Sequence, residues 1–221
     1  MGNSKPDKLG LFFRKFRALH YKKDEVIVRA EDNPSGVYYL IKGFTRLYAL
    51  SKKGEELTLI IFKPGDFFPM MWAINKTPNA FYLEAMTPVD LWRAPREKFL
   101  NFIKGNPEVF FELTSKMLVR LGGLLSRMEY LVFGNAYAKI ASILVICAER
   151  FPRQERSKVV IEVPLTHSDL ASMVGVTRET VSIEIKKLEQ KGLIHYQGRQ
   201  IVVDKFNKLR KESLVEIFNV A

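Results

Sequence analysis

The chain has 221 residues, of which 47% are hydrophobic and 12% aromatic, enough apolar surface for one or two packed domains. Its 35 Lys and Arg residues outnumber 24 Asp and Glu residues, and the formal charge of +11 favours an acidic partner, nucleic acid above all. The single cysteine, Cys147, excludes an intramolecular disulfide and a multi-cysteine metal site, and no apolar run is long enough to span a membrane. We therefore expect a cytoplasmic protein without a cofactor.

The N-terminal part changes from a helical to a two-residue hydrophobic period. Residues 7–19 carry apolar side chains at helical spacing and predict a short amphipathic helix. Short β-rich runs then alternate with turn-forming clusters such as Pro64-Gly65-Asp66. The predicted strands are residues 26–28, 37–41, 44–50, 57–62, 81–85 and 89–92. Several short strands at this spacing are typical of an antiparallel barrel or roll.

A long helix is predicted from Pro107 to Phe133, and Gly134-Asn135 separates it from a second helix, Ala136–Arg150. The apolar residues of the long helix recur at the a and d positions of about three heptads, which is typical of a helix that packs against another helix. We favour a parallel homodimer, and the alternative is a helix that lies against its own β-roll. The predicted dimer interface is Phe110, Met117, Leu121, Leu124, Met128 and Leu131. The residues of the long helix that would pack against the roll are Leu118, Leu125 and Val132.

Two short helices joined by a glycine turn are predicted after residue 164. Thr166 and Asp169 form the start of the first helix, which ends at Gly175, and Thr177 begins a second helix that reaches about Gln190. This arrangement is a helix-turn-helix, whose second helix enters the DNA major groove by its N-terminal end. Residues 193–203 predict a β-hairpin in the place where a winged helix has its wing. Further back in the chain, residues 151–158 predict a loop between the helix Ala136–Arg150 and the strand that leads to the helix-turn-helix.

The outward face of the second helix carries side chains suited to DNA. An arginine at its start can donate two hydrogen bonds to guanine, and a neighbouring glutamate can accept one from cytosine N4. Lysines one turn later suit phosphates, which supply affinity rather than sequence information. The alternative is an ordinary solvated helix face. The predicted DNA contacts are Thr177, Arg178, Glu179, Ser182, Ile183, Lys186, Lys187 and, at the hairpin tip, Arg199.

Residues 165–182, LTHSDLASMVGVTRETVS, resemble the C-terminal winged helix of the cyclic-AMP receptor protein/FNR superfamily of bacterial transcription regulators. Residues 37–43 resemble its β-roll, residues 64–68 the start of its ligand cassette, and Pro107–Phe133 its dimer helix. The resemblance implies a homodimer that binds a palindrome in double-stranded DNA and acts on RNA polymerase, with Arg178 and Glu179 as base readers. Ile183 stands where the family usually has a third reader, an arginine, which puts a TGTGA-like or TTGA-like half-site in doubt.

The expected fold class is therefore α+β. It comprises an antiparallel β-roll that serves as a sensor domain (residues 1–106), a dimerisation helix (residues 107–134) and a winged helix-turn-helix (residues 135–221). An enzyme is not expected, because the metal-dependent cupins that share such a roll need several histidines, and residues 26–94 contain none. Haem and iron–sulfur sensing are poorly supported, because one cysteine and three scattered histidines form no cluster at ligand spacing.

The family's cyclic-nucleotide-binding members hold the ribose with a Glu and the cyclic phosphate with an Arg. Here Pro69-Met70-Met71-Trp72 and Pro78-Asn79-Ala80-Phe81 stand at those two places, so both charged anchors are missing. We expect an apolar or aromatic effector or none; the alternative is a cyclic nucleotide with unusual contacts. The predicted effector pocket is Met70, Met71, Trp72, Phe81, Tyr82, Leu124 and Leu125. An acidic ligand is kept open by Arg46, Lys63 and Arg93.

Overall fold

A computed structural model describes residues 7–215, which form two compact units. The first unit contains the chain up to Leu50 together with Thr58–Lys116, and the second contains Ser51–Leu57 together with the chain from Met117 onward. The division falls inside the long helix, between the limits at residues 106 and 134 predicted from the sequence. Residues 1–6 and 216–221, at the ends of the predicted domains, lie outside the described residues.

The first unit contains two four-stranded antiparallel sheets, with strand orders β1-β8-β3-β6 and β2-β7-β4-β5. The strands are β1 (Arg17–Tyr21), β2 (Val26–Val28), β3 (Val37–Lys42), β4 (Thr45–Leu50), β5 (Glu56–Phe62), β6 (Phe67–Phe68), β7 (Tyr82–Ala85) and β8 (Val89–Ala94). The helices are α1 (Lys8–Phe13), α2 (Met70–Asn75) and α3 (Arg96–Lys104). The order of the strands confirms the predicted antiparallel roll.

Two hydrophobic clusters hold this unit together. One fills the space inside the roll and includes the fully buried Leu40, Phe68 and Leu91. The other joins α1 to α3 through Phe13 and Phe99, whose ring centroids lie 5.9 Å apart. Buried and half-buried residues alternate along β7, as a half-buried sheet requires, whereas the first four residues of β3 are all buried.

The N-terminal helix is shorter than predicted, because α1 ends at Phe13 and β1 begins at Arg17. Residues 17–19 were assigned to the helix on apolar spacing, and that part of the prediction is wrong. The strand forms by pairing with β8, from Arg17 opposite Arg93 to Tyr21 opposite Val89. A partner strand some seventy residues away overrides the local helical period.

The long helix α4 spans Pro107–Phe133, and α5 spans Ala136–Arg150, with both limits as predicted. The side chain of Asn135 caps α5 by accepting a hydrogen bond from the Ala138 N–H at 2.9 Å. Cys147 is buried in α5, where it packs as a small hydrophobic residue, and burial raises the pKa of its thiol to about 12.

The rest of the second unit is a small sheet, of order β11-β12-β10-β9, with three helices. Its elements are β9 (Pro152–Glu155), β10 (Lys158–Ile161), α6 (His167–Val174), α7 (Arg178–Gln190), β11 (Ile194–Gln197), β12 (Gln200–Val203) and α8 (Phe206–Lys211). The predicted loop at residues 151–158 is wrong, because β9 and β10 form a hairpin there. The strand β9 is exposed and polar throughout, so its sequence has no alternation, and it is a strand only because β10 pairs with it.

Candidate DNA-binding surface

The helices α6 and α7 form the predicted helix-turn-helix. Thr166 and Asp169 make a reciprocal capping box at the start of α6, and Gly175 ends that helix in the left-handed conformation, with φ of 67°. The side chain of Thr177 then caps α7 by accepting from the Thr180 N–H. The two helices pack through buried apolar residues, which are Leu170, Ala171, Val174, Val181, Ile185 and Leu188. This packing fixes the exposed side of α7.

The predicted reading residues lie together on that exposed side. Arg178 and Glu179 occupy the first turn of α7 and are exposed, as are Ile183 and Lys186 further along. The buried Val181 marks the opposite face of the helix. A helix that presents an arginine and a glutamate at its N-terminal end has the donor and acceptor groups that read base edges in the major groove.

Glu179 is held in its charged form. Its own backbone N–H and the Thr177 side chain donate hydrogen bonds to the carboxylate, and together they lower the pKa of Glu179. A carboxylate at the first turn of a helix also faces the positive end of the helix dipole. Glu179 is thus an acceptor, which is the chemistry that a cytosine amino group needs.

The two lysines of α7 have different surroundings. Lys187 Nζ lies 2.9 Å from the carboxylate of Glu184, a residue of the same helix that is only 8% exposed. Lys186 is exposed one position earlier. An ammonium group that already pairs with a carboxylate has less charge to offer a phosphate. The structure therefore distinguishes two residues that the sequence treats alike.

The predicted wing is the hairpin of β11 and β12. Gln197 pairs with Gln200, and Gly198, with φ of 62°, occupies the turn position that a β-carbon would strain. Arg199 is exposed at the tip of the turn. Its guanidinium is thus placed at the end of the second unit's hairpin, where a phosphate contact was predicted.

Ser182 is half-buried, although helical spacing predicts that it faces outward. Its hydroxyl oxygen lies 2.8 Å from Nδ1 of His167, and Nε2 of that histidine lies 3.1 Å from the Tyr196 hydroxyl. His167 and Tyr196 were not among the predicted site residues. No signal in the sequence connects them, because they come from α6 and β11 and meet only in the folded unit.

A buried arginine joins α4 to the helix-turn-helix within the second unit. Arg127 is 8% exposed and its guanidinium donates a hydrogen bond to the Met173 carbonyl oxygen, next to the C-terminus of α6. Burial lowers the pKa of Arg127, and the position faces the negative end of the α6 dipole. Arg127 was not among the predicted site residues, and its partner lies 46 residues away in the sequence.

The predicted interface helix exposes a broad apolar stripe. Its exposed large hydrophobic residues are Phe110, Phe111, Leu118, Val119, Leu121, Leu124, Leu125, Met128, Val132 and Phe133. Of the predicted interface residues, Met117 and Leu131 are half-buried, and no residue of 114–126 is buried in the chain as described. The residues of the alternative packing, Leu118, Leu125 and Val132, are exposed as well.

The segment of residues 69–81, called here the cassette segment, contains both places where the cyclic-nucleotide anchors are missing. Asn79 is 8% exposed, and its side-chain amide donates to the carbonyl oxygens of Arg29 at 2.6 Å and Phe81 at 2.8 Å. Trp72 Nε1 donates to Asn33 Oδ1 at 3.0 Å. Arg96 donates to the carbonyl oxygens of Trp72 and Ile74, at the end of α2. The side chains of Trp72 and Asn79 and the carbonyl oxygens of Trp72 and Ile74 are thus engaged with the chain itself.

The predicted effector-pocket residues fall in several places. Met70 and Trp72 are half-buried against the α1–α3 cluster, whereas Met71 is exposed. Tyr82 stacks on Tyr48, with ring centroids 5.2 Å apart, and Phe81 precedes it at the start of β7. The remaining two members of the predicted pocket belong to the second unit, where both are exposed; they are Leu124 and Leu125.

The basic residues that kept an acidic ligand open are partly engaged. Arg46 makes a salt bridge with Glu84 at 3.0 Å on the neighbouring strand, and its guanidinium lies 4.5 Å from the centre of the Tyr48 ring. Arg93 donates to Ser35 Oγ at 3.0 Å. Among residues 7–215, no group of three metal-ligating side chains is placed to hold an ion, and no helix is long and apolar enough to cross a membrane.

Two protein-family models match the chain: a cyclic nucleotide-binding domain over residues 18–106 and a Crp-like helix-turn-helix domain over residues 138–212. The cAMP-activated global transcriptional regulator CRP of Haemophilus influenzae is 27% identical over 184 residues, which are 83% of this chain and 82% of the relative. The global nitrogen regulator of a Nostoc species is 26% identical over 187 residues, 84% of each chain.

A solved structure agrees with these relatives. It is a transcriptional regulator of the CRP/FNR family from Thermus thermophilus, which is 26% identical, with a TM-score of 0.70 over 89% of this chain and 97% of that chain. Since the roll, the long helix and the helix-turn-helix follow in the order of these regulators, the chain belongs to the Crp/Fnr family of DNA-binding transcription regulators.

Proposed function

We propose that the protein binds a two-fold symmetric site in double-stranded DNA as a homodimer and regulates transcription there through RNA polymerase. The observation that carries the proposal is the exposed first turn of α7, where Arg178 and Glu179 stand side by side on a helix fixed by its own caps. In this arrangement Arg178 donates to guanine and Glu179 accepts from cytosine. Lys186, Lys187, Thr177 and Arg199 contact phosphates, which position the helix in the groove.

Ile183 gives the site its own base preference. It is 57% exposed at the centre of the face that α7 turns to solvent, one turn after Glu179. A side chain of this kind cannot hydrogen-bond a base, but it can pack against the 5-methyl group of thymine. Replacing a thymine by uracil at one position of each half-site should therefore weaken binding by wild-type protein and leave binding by Ile183→Ala unchanged.

The dimer forms along the exposed stripe of α4. Apolar side chains at heptad spacing pack when a second helix covers them, and within the described residues 7–215 no side chain of the stretch 114–126 is buried. The proposed contacts are Phe110, Met117, Leu121, Leu124, Met128 and Leu131. Two copies of α7 then face half-sites one turn of DNA apart, about 34 Å from centre to centre.

The dimer test compares two α4 variants. Leu121→Glu places a charge in the proposed interface, whereas Ser115→Glu places the same charge on an exposed position outside it. Sedimentation equilibrium should show dimers for wild type and Ser115→Glu and monomers for Leu121→Glu, which should also lose its paired footprint. A single unpaired half-site protected by the wild type would contradict the proposal.

The regulator responds to a ligand other than a cyclic nucleotide, apolar or aromatic in character, or acts without one. Support comes from the cassette segment, where Asn79 bonds two main-chain carbonyls at the place of the usual phosphate-binding arginine. Relatives of similar identity carry different signals in their names, cAMP for one and nitrogen for another. The proposed pocket residues of the first unit are Met70, Met71, Trp72, Phe81 and Tyr82.

Thermal unfolding with cyclic AMP tests this part. A cyclic nucleotide at 100 times its dissociation constant would add about 2.7 kcal/mol to the free energy of unfolding. We expect no shift at millimolar cyclic AMP, and a clear shift would favour a cyclic-nucleotide-responsive regulator with unusual contacts. Native mass spectrometry of protein purified from its own host then separates a bound apolar molecule from a regulator without an effector.

A further inference from the structure

A chain of three hydrogen bonds connects the wing to the first turn of α7. It runs from the Tyr196 hydroxyl to Nε2 of His167 (3.1 Å), from Nδ1 of His167 to the Ser182 hydroxyl (2.8 Å), and from that hydroxyl to the Arg178 carbonyl oxygen (3.0 Å). The four residues belong to three different elements of the second unit, β11, α6 and α7. The three side chains that take part, those of Tyr196, His167 and Ser182, are called here the relay, and all three are half-buried.

The direction of each bond follows from the hydrogens available. The Ser182 hydroxyl has a single hydrogen, which it donates to the Arg178 carbonyl, so its oxygen accepts from Nδ1–H of His167. In a neutral imidazole the other nitrogen is then an acceptor, and it receives the Tyr196 O–H. Burial, and then the charge of Glu189, raise the pKa of Tyr196 to about 12, so the hydroxyl keeps its proton.

We propose that His167 is a positioning residue for base reading, which fixes the first turn of α7 against the wing and thereby directs Arg178 into the groove. The inference rests on the proposed function. It assigns Ser182 to this relay rather than to the DNA, because its one donor hydrogen and a lone pair are already used.

The relay should affect discrimination more than overall affinity. Phosphate contacts of Lys186 and Lys187 depend on charge and tolerate small rotations of the helix. A bidentate arginine–guanine contact depends on the direction of the guanidinium. Loss of the relay therefore lowers the ratio of specific to non-specific affinity and leaves the salt dependence of binding unchanged.

The test measures this ratio for the full chain on a selected site and on a scrambled duplex at one salt concentration. His167→Phe, which removes both bonds, should lower the ratio about tenfold, and Ser182→Ala and Tyr196→Phe about threefold each. His167→Asn keeps a donor near Nδ1 and should recover part of the loss. The matched control is His195→Phe, because the Nδ1 atom of His195 pairs with Asp204 at 2.7 Å, outside the relay.

A double-mutant cycle decides whether the effect passes through the reading arginine. In an Arg178→Ala background, His167→Phe should lower the ratio no further. An unchanged ratio for His167→Phe in wild type, or an equal loss with and without Arg178, would overturn the inference. So would a uniform loss of affinity on every duplex with a lower salt slope, which indicates a direct phosphate contact.

Nitrogen NMR of the free protein provides a readout independent of DNA. The relay requires that His167 carry its hydrogen on Nδ1 in the neutral form, and the opposite tautomer would contradict it. If wild-type protein did not distinguish the two duplexes at all, the proposed function would fail. The tautomer measurement would then still establish or refute the relay.

Discussion

The recognition helix α7 and the cassette segment of residues 69–81 use their polar groups in opposite ways. On α7, Arg178 and Glu179 project into solvent while a neighbouring threonine caps the helix. In the cassette segment, Asn79 and Trp72 bond to the chain itself. The comparison teaches that two segments of one chain can use polar side chains for opposite purposes. On α7 they are open to a partner, whereas in the cassette segment Asn79 and Trp72 hold parts of the chain together.

The largest expected effect comes from Arg178→Ala. A good bidentate contact contributes about 1–3 kcal/mol of discrimination, and a dimer carries two, so specific affinity should fall roughly a hundredfold. Stability should not change, because the side chain is exposed. Titration of a selected duplex alongside thermal unfolding measures both quantities. If Arg178→Ala lowered stability and left DNA affinity unchanged, the side chain would serve the fold, and the contrast between α7 and the cassette segment would be lost.

Asn79→Ala should produce the reverse pattern. It leaves the carbonyls of Arg29 and Phe81 without their side-chain donors in a buried place, which costs about 1–3 kcal/mol of the free energy of unfolding. The melting temperature should fall by about 2–4 °C for each kcal/mol. DNA affinity at 25 °C should stay as in wild type. The exposed Asn75→Ala is the matched control, and equal melting temperatures for the two variants would contradict this prediction.

The two lysines of α7 sharpen the comparison within one helix. Lys186→Ala should reduce the slope of log affinity against log salt by about one per subunit, and Lys187→Ala by less, since Glu184 already pairs with that ammonium. Lys187→Ala should also lower stability, because it leaves the nearly buried Glu184 without its cation. Binding is measured between about 50 and 200 mM salt, where the release of counterions from the phosphates changes affinity most clearly. Identical slopes for the two variants would show that the pairing has no effect.

The smallest expected effect concerns Glu179, whose contribution to DNA binding should stay the same as the pH falls. Hydrogen bonds from its own backbone and from Thr177 lower the pKa of Glu179, so the carboxylate stays charged at a pH where an ordinary glutamate begins to bind protons. A depressed pKa means that an interaction needing the charged form is lost only below that value. The affinity ratio of wild type to Glu179→Gln should therefore not vary between about pH 7 and pH 5. A ratio that declines well above pH 5 would contradict it.

Local pattern was sufficient wherever an element carries its own signals. The limits of α4 and α5 follow from helical periodicity and from the cap at Asn135. The helix-turn-helix follows from the capping box at Thr166, the left-handed Gly175 and the cap at Thr177. These features act over three or four residues, so the sequence displays them directly.

Contacts and strands that depend on a partner element, rather than on their own pattern, were missed. The strand β1 exists because β8 pairs with it, and β9 exists because β10 does, although neither shows an alternating pattern. The helical wheel of α7 places Ser182 outward, but His167, fifteen residues earlier, reaches its hydroxyl. The two lysines of α7 look alike in sequence, and only the burial of Glu184 separates them.

The sequence by itself determined the family, the order of its parts and the position of the helix-turn-helix, because each depends on residue identity at short spacing. Only the tertiary structure decided how polar groups are used: Asn79 and Trp72 in the cassette segment, Ser182 in the relay and Arg127 at the end of α6. The physical reason is that a hydrogen bond requires two groups within about 3 Å. Which groups meet at that distance is a property of the folded chain.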